Sequence, residues 1–169
     1  MPVSKHFRDH YVEVQDDIVF ARFVGNQTEV DMEELLSIVD EQIAAKPWYV
    51  IVDARKMGQI EPDARKYFSK WAADIPNQAG CIVYGATTMT RAFGTLVQGA
   101  MRLFSSKHVP LVFVDSQEEA RAWIEAEVAR VVAAIGARDG IHAHLHGGVT
   151  RGPKPMTPVQ QKLFGWARE

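Results

Sequence analysis

Three histidines alternate near the end of the chain, in the run His142-Ala-His144-Leu-His146. Alternate residues of an extended chain project to one side, so these three side chains could together ligate zinc or nickel. Gly147 and Gly148 follow at once and offer neither a fourth ligand nor a rigid support, and metal sites usually depend on rigid elements. The pattern favours a polar tail, with a metal site as the alternative.

A second set of polar residues follows two predicted strands. Ligands of open α/β sheets bind beyond the carboxyl ends of parallel strands, and hydroxyls with an arginine at a helix N-terminus can hold an anion. Threonines before a helix also commonly cap its free amides, and no phosphate-binding Gly-Lys-Ser/Thr loop is present. The candidate ligand-binding residues are Asp53, Arg55, Lys56, Thr87, Thr88, Thr90 and Arg91.

Catalytic motifs are missing from the sequence. There is no Gly-x-Ser-x-Gly elbow, no His-Glu-x-x-His, no Cys-x-x-Cys and no dinucleotide-binding fingerprint. The single cysteine, Cys81, lies in an apolar strand-like run, which indicates a core position rather than a nucleophile. We therefore expect a protein that is not an enzyme and needs no cofactor.

Composition and charge exclude several classes of protein. The 169 residues are 47% hydrophobic and 24% charged, enough for one domain with a real core. A net charge of −2 and a pI near 6.3 provide no general attraction to nucleic acid or acidic membranes. The N-terminus lacks a signal peptide, and no apolar segment approaches the ~20 residues that span a bilayer. We expect a cytoplasmic protein.

Strands and helices alternate along the chain. Two β-type runs, 11–14 and 18–23, flank a turn and predict an antiparallel hairpin. Apolar residues at helical spacing predict four helices, the first capped by Thr28 and the second beginning at Pro62. Apolar runs at 49–52, 81–84 and 111–114 predict buried strands. The order predicts an α/β fold with a mixed, mainly parallel sheet, the hairpin and four helices.

Two finer expectations concern the sheet. The strand 49–52 is expected to end at Asp53, with a polar connection to Pro62. Central parallel strands are covered by helices on both faces. The side chains expected to be almost fully buried are Leu36, Ile51, Val83, Phe113 and Trp123.

After residue 136 the composition changes, because glycine and proline interrupt any regular element. We divide the chain into a domain, 1–136, and an irregular tail, 137–169. The tail ends in an amphipathic segment whose apolar residues are Val159, Leu163, Phe164 and Trp166. Because an apolar segment on a long linker is readily exchanged between copies, we expect a homodimer with these four residues at its interface.

Five stretches of sequence carry a family resemblance. They are Phe23-Val24-Gly25, Val50-Ile51-Val52-Asp53, Ala64-Arg65, Tyr84-Gly85-Ala86-Thr87 and the run from Val114 to Trp123. Together they resemble the SpoIIAA-like family, which is related to STAS domains and discussed with SEC14-type lipid-binding folds. The resemblance covers about residues 8–136 and implies a fold more than a chemistry.

The resemblance implies a regulatory module of bacterial type that contacts an unidentified protein partner. In the anti-sigma-factor antagonists of that superfamily, a phosphorylatable serine or threonine opens the helix after the central strand. The matching run here, Gln59-Ile-Glu-Pro-Asp-Ala64, contains no hydroxyl, so the phosphorylation switch is not expected there. The alternative is a binder of a small apolar, lipid-like or anionic ligand at the strand ends. A third interpretation is metal handling through the tail histidines.

Overall fold

The computed structural model describes residues 3–43, 47–74, 77–88, 90–92, 94, 95, 98, 99 and 109–137. The chain divides into two units, Met1–Ile124 and Glu125–Glu169. Six strands form one sheet in sequential order: β1 Val3–Phe7, β2 His10–Gln15, β3 Ile18–Gln27, β4 Trp48–Ile60, β5 Gln78–Tyr84 and β6 Leu111–Val114. The helices are α1 Glu29–Ile43, α2 Pro62–Asp74, α3 with described residues 88, 90–92, 94, 95, 98 and 99, and α4 Gln117–Gly136.

The sheet is antiparallel at its start and parallel thereafter. β1, β2 and β3 pair antiparallel, and β3 to β6 pair parallel. Asp16, with φ 56°, lies in the turn between β2 and β3 where the sequence predicted one. The predicted fold class is confirmed.

The order of the parallel strands decides where the helices lie. Crossover connections between neighbouring parallel strands are right-handed, so α1, α2 and α3 all fall on one face of the sheet, called here the three-helix face. α4 follows β6 and begins on the opposite face, the α4 face, where Trp123 packs edge-on against Tyr49 of β4 with ring centroids 6.5 Å apart. None of the described helices is long and apolar enough to cross a membrane.

One strand was not predicted, and the predicted end of another was wrong. β1 was not predicted, because Val3, Ser4, Lys5 and His6 are all exposed and show no alternation of polarity. β4 does not end at Asp53 but continues to Ile60, and its extension pairs with an equally extended β3. Arg55 and Lys56 therefore lie within a strand rather than in a loop. The extension pairs its backbone groups with β3 and leaves Arg55, Lys56 and Gln59 exposed, while Met57 and Ile60 pack against the core.

A cluster of buried apolar side chains lies where α1 covers β2 and β3. Val12, Val19 and Leu36 are buried there as part of one apolar cluster. On the α4 face Ile51 and Ile82 are 0% exposed.

Of the residues expected in the core, Leu36, Ile51 and Val83 are buried, whereas Phe113 and Trp123 are only partly buried.

The start of α1 is held by a reciprocal pair of hydrogen bonds. The Asp31 amide donates to Thr28 Oγ1 at 3.3 Å, and the Thr28 amide donates to Asp31 Oδ2 at 2.8 Å. Thr28 therefore caps the helix as predicted. Burial alone would raise the pKa of Asp31, but the hydrogen bonds from Thr28 and the nearby charges of His10 and Arg8 outweigh it and lower that pKa.

We expect Thr28→Ala to lower the free energy of unfolding by about 1–2 kcal/mol, because it removes the acceptor for the first-turn amide and a donor to the buried Asp31 carboxylate. Thr28→Ser keeps the hydroxyl and serves as the control. Urea titration measures both. Equal stability of the two variants would contradict the role given to the hydroxyl.

Candidate functional site

A buried carboxylate lies among the predicted strand-end residues. Asp53, on β4, is 2% exposed and faces the α4 side of the sheet. Arg55 donates to it from Nε at 3.0 Å and from Nη2 at 2.9 Å, and Arg22 of β3 donates from Nε at 3.0 Å. Because Arg22 is the direct cross-strand partner of Asp53, the register of β3 and β4 assembles this cluster.

Hydrogen bonding determines the charge state of the cluster. Burial alone would raise the pKa of Asp53, but the hydrogen bonds from Arg55 and Arg22 outweigh it and hold that pKa well below its usual range. Burial, together with the neighbouring Asp53 carboxylate, raises the pKa of Tyr84. The Arg55 guanidinium lies 5.4 Å from the centroid of the Tyr84 ring. Asp53 therefore stays ionised and paired at neutral pH.

Gly85 allows Arg55 to take this position. Its φ of 68° is a left-handed conformation that favours glycine, and an added Cβ would collide with Cγ of Arg55. Arg55 is thus held between Asp53, Tyr84 and the Gly85 backbone. The charges of Asp53, Arg55 and Arg22 are paired with one another, as expected of a structural cluster, whereas the buried Tyr84 hydroxyl has no hydrogen-bond partner among the described residues.

The threonines predicted as ligands lie at the start of α3. The Thr90 amide donates to Thr87 Oγ1 at 3.2 Å, so Thr87 caps the helix. Arg91 donates from Nη2 to Asp115 at 3.2 Å and from Nε to the Ala86 carbonyl at 3.3 Å. Thr88 is exposed. The local hydrogen-bonding groups of Thr87 and Arg91 are therefore largely engaged within the protein.

The seven predicted residues do not form one described cluster. Asp53 and Arg55 share the paired group on β4, Lys56 is exposed further along that strand, and the threonines with Arg91 lie at α3. Sequence reasoning missed Arg22, whose role depends on cross-strand register. The one signal for Arg22 is a charge inside the otherwise apolar run Phe20-Ala-Arg-Phe23.

A cavity of about 220 Å³ lies between the sheet and the helices of the three-helix face. Its floor includes Val50 and Val52 of β4, Cys81 of β5, and Leu111 and Phe113 of β6, all of them partly exposed. Directly behind them, on the α4 face, the neighbouring side chains of β4 and β5 are fully buried. The side chains are therefore tightly packed on the α4 face of the sheet, whereas the cavity lies on the three-helix face.

Helices α1 and α2 provide most of the described walls. Met32, Leu35, Leu36 and Val39 of α1, and Phe68, Trp71 and Ala72 of α2, line the cavity. Trp71 packs against Trp48 with ring centroids 6.4 Å apart, and its Nε1 donates to Asp40 at 3.0 Å. This hydrogen bond joins α2 to α1 while the ring stays on the cavity wall.

Cys81 borders the cavity among apolar side chains. Desolvation by burial raises the pKa of its thiol to about 12, so the thiol is protonated and a weak nucleophile at neutral pH. The structure thus agrees with a wall residue rather than a catalytic one.

The tail predictions lie outside the described residues. These include the histidines at 142, 144 and 146 and the interface residues at 159, 163, 164 and 166. Within the part of the chain that the structure describes, no three His, Cys, Asp or Glu side chains converge on a point that could hold a metal ion.

Comparison with solved structures supports the topology. An uncharacterized protein of the DUF3478 family from Shewanella loihica PV-4, described as having a SpoIIAA-like fold, matches 73% of this chain and 91% of its own with a TM-score of 0.50 and 12% sequence identity. The fold is SpoIIAA-like. At that identity the likeness extends to the fold alone. The sequence matches no family model and no curated protein.

The charge cluster generates a prediction about acid stability. Because the pKa of Asp53 is lower in the folded than in the unfolded chain, its contribution is complete above the unfolded value of about 3.9 and is lost as the pH falls below it. We expect Asp53→Asn to cost on the order of 2 kcal/mol at pH 7 and to flatten the fall in stability between about pH 5 and pH 2.

The control for the acid-stability measurement is Asp115→Asn, because the Asp115 side chain is 87% exposed and an exposed ion pair contributes little. Urea titrations across the pH range measure all three proteins. An unchanged pH dependence in the Asp53 variant would contradict the role of the buried carboxylate.

The cavity generates a second prediction. Val12 and Val52 both lie on the three-helix face, but Val12 is 0% exposed while Val52 lines the cavity. We expect Val12→Ala to cost at least about 2 kcal/mol through lost burial and a new void, and Val52→Ala to cost under about 1 kcal/mol because its methyl groups already border empty space. Denaturant titration compares them. Equal losses would show that the cavity is closed in solution.

Proposed function

We propose that this chain is a non-enzymatic binding module that holds a small apolar ligand between the sheet and the three helices. The observation that carries the proposal is the apolar cavity of about 220 Å³ at the middle of the domain. Its apolar walls lack packing partners within the described residues, and removing such surface from water against an apolar ligand is favourable by about 25 cal/mol per Å².

The size of the cavity limits its occupant. An apolar cavity of about 150 Å³ binds benzene and stays dry otherwise, and this one is about half as large again. Drug-sized ligands occupy about 300–1,000 Å³. These volumes favour a medium-length acyl chain or a two-ring hydrocarbon. Water is disfavoured, because a buried water needs two to four polar partners and the floor of the cavity is apolar.

The chemistry of the walls favours binding over catalysis. Among the described residues that line the cavity, only Arg65 and Cys81 carry titratable side chains, and the high thiol pKa of Cys81 leaves it unreactive at neutral pH. The ionised group at Asp53 lies on the other face of the sheet and is neutralised by arginines. These features support a protein that retains a molecule without transforming it.

The SpoIIAA-like fold suggests a STAS-type domain, and the sequence resemblance implies a regulatory role through contact with another protein. That role, the unidentified partner, the homodimer and the cytoplasmic location stay predictions. An anionic ligand at the strand ends is less well supported, because the predicted side chains there are engaged with one another.

The proposal is tested by filling the cavity. Val52→Phe places a ring in the cavity. Val112→Phe makes the same exchange on the opposite face of the sheet, on β6, which is separated from β4 by β5. We expect the wild-type chain and Val112→Phe to bind the neutral fluorophore N-phenyl-1-naphthylamine alike, and Val52→Phe to bind it at least tenfold more weakly. Circular dichroism verifies that each variant is folded.

The reactivity of Cys81 reports whether the fluorophore binds in the cavity, since Cys81 is the only cysteine in the sequence and borders the cavity. Bound fluorophore should slow the reaction of Cys81 with a small methanethiosulfonate reagent at alkaline pH. If Val52→Phe does not weaken binding and bound fluorophore does not slow the reaction of Cys81, the fluorophore binds elsewhere and the proposal is refuted.

A further inference from the structure

The second half of α4 carries an apolar stripe. Its members recur at helical spacing and share one side of the helix; they are Val128, Val131, Val132 and Ile135. The buried residues of α4, Ala120 and Ile124, both lie in its first half, whereas Val131 is 40% exposed. A contiguous apolar stripe on a helix normally packs against another element, so this one requires a partner.

Little else stabilises this part of the helix. The division of the chain into two units falls at Ile124, so residues 125–136 belong to the unit that continues into the tail. Within them Arg130 donates to Glu127 at 2.6 Å, and a surface ion pair of this spacing contributes little. Helical segments of about 12 residues are marginal in water without packing. Covering the stripe would therefore stabilise the second half of α4.

The tail contains a segment whose sequence fits the stripe. At helical spacing Val159, Leu163 and Trp166, which lie outside the described residues, share one face. Leucine and tryptophan are bulky, whereas the stripe consists of three valines and an isoleucine with alanines around them. A large ring buries much apolar area against such a low aliphatic surface. The two apolar faces are therefore complementary in size.

Charge favours the same pairing. Residues 125–136 contain two glutamates and one arginine, whereas residues 154–168 contain two lysines, one arginine and no acidic residue. Glu125 lies one turn before Val128, at the edge of the stripe, and Lys162 lies one turn before Trp166 in the tail segment. Opposite charges beside two apolar faces help to align them.

The connection between the two elements is long enough to bring them together within one chain. Twenty-one residues, 137–157, separate α4 from the segment. A flexible chain of that length spans about 25 Å on average, whereas Val128 lies about 12 Å from the end of α4 at about 1.5 Å per residue. The segment therefore reaches the stripe of its own chain at an effective concentration in the millimolar range. A second copy competes only when the protein approaches that concentration.

We propose that the tail segment 158–166 docks through its apolar face on the stripe of α4 in its own chain. The inference is independent of the proposed function, because no residue of the stripe is among the described residues that line the cavity. The homodimer expected from the sequence uses the same tail residues, so exchange with a second copy is the competing outcome.

The experiment measures how fast a cysteine in the stripe of the full-length chain reacts with N-ethylmaleimide, a neutral reagent. Cys81→Ala removes the native thiol, Val131→Cys places one in the stripe, and Ala133→Cys places one on the opposite, exposed side of α4 as the control. We expect the thiol at position 131 to react at least about fivefold more slowly than the thiol at position 133. Leu163→Asp should abolish this difference, whereas Gln161→Asp, which puts the same charge on the polar side of the segment, should preserve it. Mass spectrometry follows the labelling, and circular dichroism verifies that each variant is folded.

The oligomeric state decides which chain supplies the segment. Slow labelling at position 131 in a monomer, unchanged between about 1 and 100 µM protein and thus below the millimolar range of the intramolecular contact, supports docking within one chain. The same slow labelling in a dimer that Leu163→Asp dissociates, as seen by sedimentation, would assign the stripe to the tail of a second copy and overturn the proposal. Equal rates at the two positions, or slow labelling that Leu163→Asp leaves unchanged, would show that the tail segment does not cover the stripe.

Discussion

The handedness of three consecutive crossovers determines the rest of this structure. β3 to β6 are parallel and adjacent in chain order, so right-handed connections place α1, α2 and α3 on one face. Sheets wound in two directions divide their helices between both faces. Among the described helices, three cover one face and α4 begins on the other. The two faces therefore meet different packing demands.

The two faces of the sheet differ in how tightly their side chains are packed. On the α4 face Ile51 and Ile82 are fully enclosed, and the carboxylate of Asp53 is satisfied by arginines from two strands. On the three-helix face, side chains of α1 and α2 line the cavity together with side chains of the sheet. Tight packing and the cavity therefore lie on opposite faces of the same strands.

The sequence predicts those features that depend on local pattern. Alternating apolar stretches yielded the fold class, and Thr28 was correctly identified as a cap because capping involves only its own first turn. β1 was missed because an exposed strand has no polarity pattern, and the extension of β4 because its pairing depends on distant residues of β3.

The two sites differ in how far the sequence could predict them. The end of the apolar run at residue 52 was enough to select Asp53 and Arg55, although β4 continues beyond them. Arg22 required the register of β3 and β4. The cavity could not be predicted from the sequence, because periodicity shows which side of a helix faces inward and not how closely the helices approach the sheet. Phe113 illustrates this: its pattern is that of a core residue, yet it borders open space.

The position of Cys81 has a consequence for the durability of the protein. Peroxide and disulfides react with thiolate rather than thiol, and a thiol with a pKa of about 12 contains almost no thiolate in the cell. The high pKa of the thiol, caused by desolvation among apolar side chains, thereby protects this residue of the cavity floor from oxidation.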